Sequence, residues 1–251
     1  MPKFAANLTL LFNEHSFTDR FAAAAQAGFS AVEMLFPYVE PVDRIHELLA
    51  ANDLELILIN TPVDNWSSGA RGNAALVGAE DDFNRDLDRA MEYAAALRPA
   101  HIHLMAGIAE GDKAHQTFLR NLQRATAQAP DQNFLIEPLN RHDMPGYFLN
   151  SFDLAAEVLK EVGAPNLGLQ FDVYHAHRIA GDAAAVWDRH GHLARHIQIG
   201  RIPDRADPVG GDFDFPAFFR ALDEGGYKGV VSGEYHPAGA TRDGLAWARD
   251  L

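Results

Sequence analysis

A closed barrel of eight parallel strands, each followed by a helix, is the fold class that the sequence predicts: an α/β protein of the (β/α)8 type. Three observations support it: short β-like runs alternate strictly with amphipathic stretches, eight such pairs occur, and the chain has 251 residues. Strict alternation implies parallel strands joined by helical crossovers. Single barrels of this type typically have about 250 residues. A doubly wound open sheet gives a similar pattern and stays the alternative.

The elements follow one another without a linker, a repeat or a low-complexity segment, so we expect one domain over residues 1–251. Short apolar runs predict strands at residues 4–10, 31–35, 54–60, 101–106, 133–138, 167–173, 195–200 and 229–235. Helical periodicity predicts helices at residues 17–28, 41–52, 80–97, 112–129, 151–162, 181–190, 214–225 and 241–250.

Helix start and stop signals support several of these boundaries. Ser151 is a typical N-cap before the helix predicted at 151–162, and Gly163 follows that helix as C-terminal glycines often do. Pro216 fits the first turn of the helix predicted at 214–225.

Composition excludes several classes of function. The formal net charge is 21 − 35 = −14, which argues against nucleic acid and anionic membranes as partners. The absence of cysteine excludes disulfides, thiolate metal sites and cysteine nucleophiles. The first residues lack the apolar segment and cleavage site of a signal peptide, and no apolar run approaches the roughly 18 residues of a membrane span. We therefore expect a cytoplasmic protein.

Two long irregular stretches are expected to lie over one end of the barrel. Residues 61–79 follow the third strand and residues 201–213 follow the seventh. Loops of this length in a compact domain are usually lids or binding loops. In barrels of this type chemistry collects at the carboxyl ends of the strands, where both loops begin.

Four consecutive strands carry an oxygen-bearing side chain at that end: Glu137, Asp172, Gln198 and Glu234. One such acid is as readily explained as a helix cap or an arginine partner, but four on adjacent strands favour a shared site. Carboxylates brought close together repel one another, and a dication is the simplest way to keep them ionised. Oxygen donors favour Mg²⁺ or Mn²⁺ over Zn²⁺.

Five segments together identify a family. The chain resembles the hydroxypyruvate isomerase family, including its 2-oxo-tetronate isomerase branch, within the xylose-isomerase-like TIM barrels. The segments are "IEPLN" at 136–140, "DMPGYFLN" at 143–150, "LQFDVYH" at 169–175, "HIQIG" at 196–200 and "GEYHPAG" at 233–239. The resemblance runs nearly the whole chain, from "FAANLTLLF" at 4–12 to "GLAW" at 244–247.

The resemblance implies a metal-dependent isomerase acting on a small hydroxy-oxo acid. Its metal set falls on Glu137, Asp172, Gln198 and Glu234, and its acid–base pair on Glu137 and Glu234. Hydroxypyruvate would become tartronate semialdehyde, or a 2-oxo-tetronate the 3-oxo-tetronate, by enediolate proton transfer between the two glutamates. The sequence leaves open which glutamate is the base, whether the metal is Mg²⁺ or Mn²⁺, and how long the substrate is.

Further residues are candidates for substrate binding, each with a plain structural explanation beside it. In related barrels the histidine at the position of His175 binds substrate oxygens. The substrate carboxylate needs a cation, and Arg71 and Arg205 lie in the two long loops. Weaker candidates are His103 on strand four, Asp143 as an orienting residue, and Asn7 on strand one.

Three loop positions depart from the family pattern: Ala70 where an acid is expected, Arg201 where Asp is usual, and Asp212 where Glu is commoner. They leave fold, metal and reaction type intact and bear on the substrate. Arg201 either favours a longer or more acidic substrate or points to solvent.

The same barrel also supports other functions. Ketose 3-epimerases use the same acid–base pair but usually have His at the position of Gln198. Endonuclease-IV-like enzymes need a basic surface and a His-rich zinc site, which the net charge of −14 disfavours. A sugar-acid-binding barrel without catalysis is a third alternative. Relatives often form dimers or tetramers, so a homo-oligomer is expected.

Overall fold

The computed structural model describes residues 2–248, and within them eight parallel strands close into a barrel in chain order. β1 pairs with β8 as well as with β2, and this pairing closes the sheet. The strands are β1 (Lys3–Asn7), β2 (Ala31–Glu33), β3 (Glu55–Asn60), β4 (His101–His103), β5 (Asn133–Ile136), β6 (Leu167–Asp172), β7 (Ala194–Ile199) and β8 (Val230–Gly233). The predicted closed barrel is confirmed, and the open sheet is excluded.

The α-helices lie between consecutive strands. They are α1 (Asp19–Gln26), α2 (Val42–Ala51), α3 (Glu80–Leu97), α4 (Gly111–Gln128), α5 (Phe152–Val162), α6 (Val173–Ala180), α7 (Ala183–His190) and α8 (Phe215–Glu224). Short 3₁₀ helices occur at Pro37–Val39, Trp66–Ser68, Gly191–Leu193 and Thr241–Ala248. The single domain over residues 1–251 stays a prediction.

Three expectations about elements were wrong in detail. The first strand ends at Asn7 rather than at residue 10, and the others are also shorter than predicted, except β7, which has the predicted length and begins one residue earlier. The final helix is a 3₁₀ helix as far as Ala248, and residues 249–250 of that prediction lie outside the described residues. Helix α6 was not predicted. It begins directly after β6 because Asp172 Oδ1 accepts the backbone N–H groups of Tyr174 (2.7 Å) and His175 (3.2 Å) and caps the first turn.

The predicted caps around α5 and α8 are present. Ser151 Oγ accepts from the backbone N–H of Leu154, and Gly163 ends α5 in the left-handed conformation at φ 63°. Pro216 lies in the first turn of α8, which Asp214 caps by accepting from Ala217 N–H. Side-chain oxygens satisfy N–H groups that a helix start leaves free, so these residues set where each helix begins.

Aromatic side chains fill the layer between sheet and helices. Phe4 of β1 packs edge-on against Phe219 of α8 and Trp247 of the last 3₁₀ helix. Phe171 of β6 packs in the same way against Trp187 of α7. These contacts anchor β1 and β6 to the neighbouring helices, so these strands are held in a rigid frame.

Short bridges tie the loops after β3, β4 and β5 together. Gly72 pairs with Ala106, and Ile108 pairs with Tyr147. Gly72 has a φ of 109°, and a Cβ there would lie 2.3 Å from the carbonyl oxygen of Met105. A glycine is therefore required at position 72 for the close approach of the loops after β3 and β4.

Among the helices of the described chain, none combines the length and the apolar character that a membrane crossing requires.

Candidate active site

Four side chains gather at the carboxyl ends of β5 to β8. Glu137 directly follows β5, Asp172 ends β6, Gln198 lies one residue before the end of β7, and Glu234 directly follows β8. All four are buried, with at most 5% of each residue exposed. We call Glu137, Asp172 and Glu234, together with Gln198, the mouth cluster.

Two donors join the members of the mouth cluster. Gln170 Nε2, inside β6, donates to Glu137 Oε2 at 2.9 Å and to Gln198 Oε1 at 2.6 Å. Arg205 Nη2 donates to Glu234 Oε2 at 2.9 Å and to Asp172 Oδ2 at 3.2 Å. The predicted strand-end residues therefore form one cluster, bridged from two sides.

Burial and mutual repulsion disfavour ionisation of the three acids. Burial raises the pKa of Glu137 well above its usual value, and the charges of Glu234 and Asp172 raise it further. Burial raises the pKa of Glu234 to about 8, although Arg205 opposes the change. Burial also raises the pKa of Asp172, again opposed by Arg205. One guanidinium thus faces three carboxyl groups, and the cluster is short of positive charge.

The donor set fits a divalent cation. Glu137 Oε1 is buried and has no hydrogen-bond partner among residues 2–248. Glu137 and Asp172 each offer a carboxyl oxygen within 4.8 Å of the other. Carboxylate and carboxamide oxygens are ligands that Mg²⁺ and Mn²⁺ accept, and a dication would supply the missing charge.

His175 is oriented as a donor towards this cluster. The backbone N–H of Asn140 donates to its Nδ1 at 3.1 Å, so the proton of the neutral ring lies on Nε2. Burial and the nearby Arg205 lower the pKa of His175 well below its usual value, which keeps the ring neutral. Nε2 faces Asp172 Oδ2 at 3.8 Å. Because this nitrogen carries a hydrogen, it suits a substrate oxygen better than a metal.

Asp143 supports His175 through Asn140. Asn140 Nδ2 donates to Asp143 Oδ2 and lies 2.9 Å from His175 Nδ1. The hydroxyl of Tyr174 also donates to Asp143 Oδ2, at 2.8 Å. This chain of bonds connects Asp143 to the His175 ring, and an orienting role for Asp143 stays a prediction.

His103 lies on the other side of Glu137. Its Nδ1 is 3.6 Å from Glu137 Oε2, and neither ring nitrogen has a hydrogen-bond partner among the residues that the structure describes. Burial lowers its pKa to about 3, so the ring is neutral. A buried imidazole without a partner beside the cluster can form a hydrogen bond with a bound molecule.

Arg71 and Asn7, by contrast, are engaged elsewhere. Arg71 lies over the ring of Trp66, donates to the carbonyls of Trp66 and Ala70, and contacts Met144 in the loop after β5. Asn7 is fully buried, and its Nδ2 donates to Glu33 Oε1 at 2.8 Å. Substrate contact by either residue stays a prediction.

The departures from the family pattern lie outside the mouth cluster. Arg201 forms a two-pronged ion pair with Asp204 and is about one third exposed at 32%, so its charge is already matched. Asp212 is exposed, and the carbonyl of Ala70 accepts from Arg71.

Sequence reasoning missed Glu33 and Gln170. Glu33 ends β2 in the structure, but the strand predicted at residues 31–35 placed it in the middle of the strand, so the strand-end signal was hidden. Gln170 lies two residues before Asp172 in β6, which places both on the same face of the strand. The hydrogen bonds that give them their roles join different strands, and the sequence does not display them.

Comparison with known proteins shows which family the chain resembles. The model of a family described as xylose isomerase-like TIM barrel matches residues 21–251. A 2-oxo-tetronate isomerase of Cupriavidus necator is 45% identical over 99% of this chain and 98% of its own length. A hydroxypyruvate isomerase of Escherichia coli is 34% identical over 98% of both chains.

Solved structures agree on the fold. A protein from Brucella melitensis, whose structure is described as AP endonuclease, family 2, is 42% identical with a TM-score of 0.95 and 98% coverage of both chains. A 3-keto-D-glucoside 4-epimerase from E. coli has a TM-score of 0.81 at 19% identity, over 100% of both chains, and shows the fold alone.

The closed barrel with polar groups at its carboxyl end defines the protein as a TIM-barrel enzyme. The chain belongs to the xylose isomerase-like TIM barrel family, in the group that includes hydroxypyruvate isomerase and 2-oxo-tetronate isomerase. The resemblance seen in the sequence is thereby confirmed, and so is the predicted enzyme class, an isomerase.

Proposed function

We propose that the chain interconverts a small 2-oxo and 3-oxo hydroxy acid by moving a proton between adjacent carbons. The observation that carries this proposal is the pair Glu137 and Glu234, buried in one cluster that shares Arg205. A pair of carboxyl groups with environment-shifted pKa values is suited to removing a proton and returning it.

The names of the relatives support the substrate class. Relatives named 2-oxo-tetronate isomerase are 45% and 39% identical to this chain, and the one named hydroxypyruvate isomerase is 34% identical. We therefore place the four-carbon 2-oxo-tetronate first, with the 3-oxo-tetronate as product. Hydroxypyruvate, with tartronate semialdehyde as product, is second.

In this mechanism one glutamate takes the proton from C3 and leaves a cis-enediolate, and the other delivers a proton to C2. The proton of the C3 hydroxyl passes to the C2 oxygen, so that C3 becomes the carbonyl and C2 carries the hydroxyl. Raised pKa values allow Glu137 and Glu234 to hold or release a proton near neutral pH. Burial of both residues limits the access of bulk water to the reacting carbons. The glutamate that delivers the proton regains one from solvent between turnovers, so deuterium enters the product in D₂O.

Glu137, Asp172, Gln198 and Glu234 would hold Mg²⁺ or Mn²⁺. When bound, such an ion polarises the substrate's carbonyl and hydroxyl oxygens and stabilises negative charge as it develops. The buried Oε1 of Glu137 and the excess of carboxyl groups support this assignment.

Several further residues would hold the substrate. The guanidinium of Arg205 suits its carboxylate, and the Nε2–H of His175 suits a hydroxyl or carbonyl oxygen. His103 offers an unpartnered ring nitrogen beside Glu137. Asp143 keeps His175 in position, and Arg71 with Asn7 completes the predicted set. A cytoplasmic location and a dimer or tetramer remain part of the prediction, and size-exclusion chromatography checks the second.

DNA repair, a function of the kind that the Brucella title names, has less support. The net charge of −14 opposes binding to a phosphate backbone. The mouth cluster is built from carboxyl and carboxamide groups, with His175 oriented as a donor, and multi-zinc sites favour histidine ligands. An assay with a duplex that contains an abasic site should therefore show no cleavage.

Proton NMR in D₂O tests the proposal most directly. Purified protein with Mg²⁺ is given a 2-oxo-tetronate or hydroxypyruvate, each with and without EDTA. We expect metal-dependent deuterium incorporation and appearance of the isomer. Exchange of a carbon-bound proton without an isomer would favour a 3-epimerase acting on another sugar. An absence of exchange with both acids, in protein shown to bind metal, would favour the non-catalytic binding barrel.

A further inference from the structure

A second polar group lies inside the barrel beside the mouth cluster and has no place in the mechanism above. Glu33, at the end of β2, is fully buried. Its Oε1 accepts from Asn7 Nδ2 at 2.8 Å and from Gln198 Nε2 at 2.7 Å. Its Oε2 lies 2.6 Å from His196 Nε2. Three strands, β1, β2 and β7, thus converge on one carboxyl group.

This arrangement selects one orientation of the Gln198 carboxamide. The oxygen and nitrogen of a carboxamide have nearly the same shape, so packing alone does not distinguish the two orientations. Glu33 Oε1 accepts from two amide groups, and an amide oxygen turned towards it would place two acceptors against each other. The NH₂ of Gln198 therefore faces Glu33, and the carboxamide oxygen faces the other way.

The other side of the carboxamide opens onto the mouth cluster. Gln198 Oε1 accepts from Gln170 Nε2 at 2.6 Å, and the same nitrogen donates to Glu137 Oε2. A carboxamide oxygen has two lone pairs, so Gln170 leaves one of them available. Gln198 is uncharged, whereas the other proposed ligands, Glu137, Asp172 and Glu234, are carboxyl groups.

We propose that Glu33 is a positioning residue for metal binding: it holds the Gln198 carboxamide with its oxygen towards the mouth cluster. The inference rests on the proposed function, because it requires Gln198 to be a ligand. Glu33 itself touches neither metal nor substrate in this role. Residues that orient metal ligands typically contribute about 10–100-fold to metal affinity.

Glu33→Gln removes the preference for one orientation of the Gln198 carboxamide while keeping the size of the side chain. A glutamine at this position presents either an oxygen or an NH₂ to Gln198, so both orientations of Gln198 become available. We expect Mn²⁺ affinity to fall about 10–100-fold. Glu92→Gln, the same change at an exposed position of α3, is the matched control and should leave the affinity unchanged.

A double-variant cycle separates positioning from a general effect on the barrel. Electron paramagnetic resonance of free Mn²⁺ is used to measure binding to the full chain as wild type, Glu33→Gln, Gln198→Ala and the double variant. If Glu33 acts through Gln198, Glu33→Gln causes no further loss of Mn²⁺ affinity in a protein that already lacks the Gln198 carboxamide. We therefore expect the double variant to bind Mn²⁺ as Gln198→Ala does. If Glu33→Gln does not fold, Glu33→Asp takes its place in the cycle, because it keeps the acid but shortens its reach.

The outcomes distinguish failure of this inference from failure of the proposed site. The positioning role would be overturned if Glu33→Gln lowered Mn²⁺ affinity by the same factor in the wild-type background and in the Gln198→Ala background. An unchanged affinity in Glu33→Gln while Gln198→Ala binds weakly would also overturn it. A wild-type protein that binds no Mn²⁺, or a Gln198→Ala variant that binds as tightly as wild type, would remove Gln198 as a ligand and the role of Glu33 with it.

Discussion

Two regions of the barrel bury carboxyl groups and surround them differently. Glu33 receives two amide N–H groups on one oxygen and faces a histidine nitrogen with the other. Glu137 receives one amide N–H on Oε2, and its Oε1 has no partner in the described part of the chain. Both residues are buried and both lie at a strand end.

Glu33 completes hydrogen bonds within the protein, whereas Glu137 keeps one oxygen without a partner, as the proposed metal site requires. Leaving a buried polar atom unpaired costs stability, typically about 1–3 kcal/mol. Such a cost is tolerated where function needs the open position. The following predictions test this contrast, beginning with the largest expected effect.

Glu137→Gln and Glu234→Gln should each lower turnover about 10²–10⁴-fold, because each removes a group that carries the transferred proton. Deuterium incorporation followed by NMR measures the loss. The matched control is Glu92→Gln, at an exposed position of α3. Full turnover in either cluster variant would rule out a mechanism that depends on two carboxyl groups.

Mn²⁺ affinity should increase with pH between about 6 and 8, by as much as tenfold per pH unit for each proton displaced. The reason is that burial raises the pKa of Glu234 to about 8, so the metal-free site holds a proton below that pH and must release it on binding. Calorimetric titrations in buffers of different ionisation enthalpy count the released protons. A pH-independent affinity would show that the acids are already ionised.

Arg205→Lys should raise KM for the substrate about 10–100-fold. Lysine keeps the charge but loses the planar pair of donors, and a charge-assisted hydrogen bond contributes about 1.5–3 kcal/mol. Initial rates at varied substrate concentration give KM. Arg201→Lys is the control, since Arg201 is matched by Asp204, and should leave KM within about twofold. Equal effects of the two changes would place the substrate carboxylate elsewhere.

Stability should respond in opposite directions in the two regions. In metal-free protein at pH 8, Glu137→Gln should increase the free energy of unfolding by about 1 kcal/mol, and Glu33→Gln should decrease it by about 1–3 kcal/mol.

The sign for Glu137 follows from its raised pKa. A raised carboxyl pKa in the folded state means that stability is full below the unfolded value of 4.5 and is lost as pH rises towards the folded value. The gain from Glu137→Gln should therefore be larger at pH 8 than at pH 5. Urea unfolding in EDTA measures both variants, and a loss of stability in Glu137→Gln at both pH values would contradict the contrast.

The barrel was predictable because its evidence is local and repeated. Each strand is a short apolar run and each crossover an amphipathic pattern, and these periods are properties of the sequence. Helix α6 was missed because it begins one residue after β6, with no break in the apolar run "LGLQFDV". Its start depends on the carboxyl group of Asp172 accepting backbone N–H groups, and that conformation is not visible in a pattern of apolar residues.

Part of the site was predictable for a similar reason. Glu137, Asp172, Gln198 and Glu234 each lie at the end of a recognisable strand, and strand ends converge. Glu33 was missed although it also ends a strand. Its importance comes from His196 and Gln198, which are 163 and 165 positions away in the chain. Only the closure of the barrel, in which β1 pairs with β8, brings β2 within reach of β7.

Asp172 has two structural roles, and together they restrict the substitutions that evolution can accept at this position. One carboxyl oxygen caps α6, and the other faces Arg205 in the mouth cluster. A descendant protein that lost catalysis would no longer need the contact with Arg205 but would still need the cap of α6. Short acceptors such as Asn or Ser should then replace Asp172, because they still cap a helix, whereas apolar residues should not. Asn at this position, beside freely varying residues at 137 and 234, would therefore mark lineages that keep the barrel after its chemistry has gone.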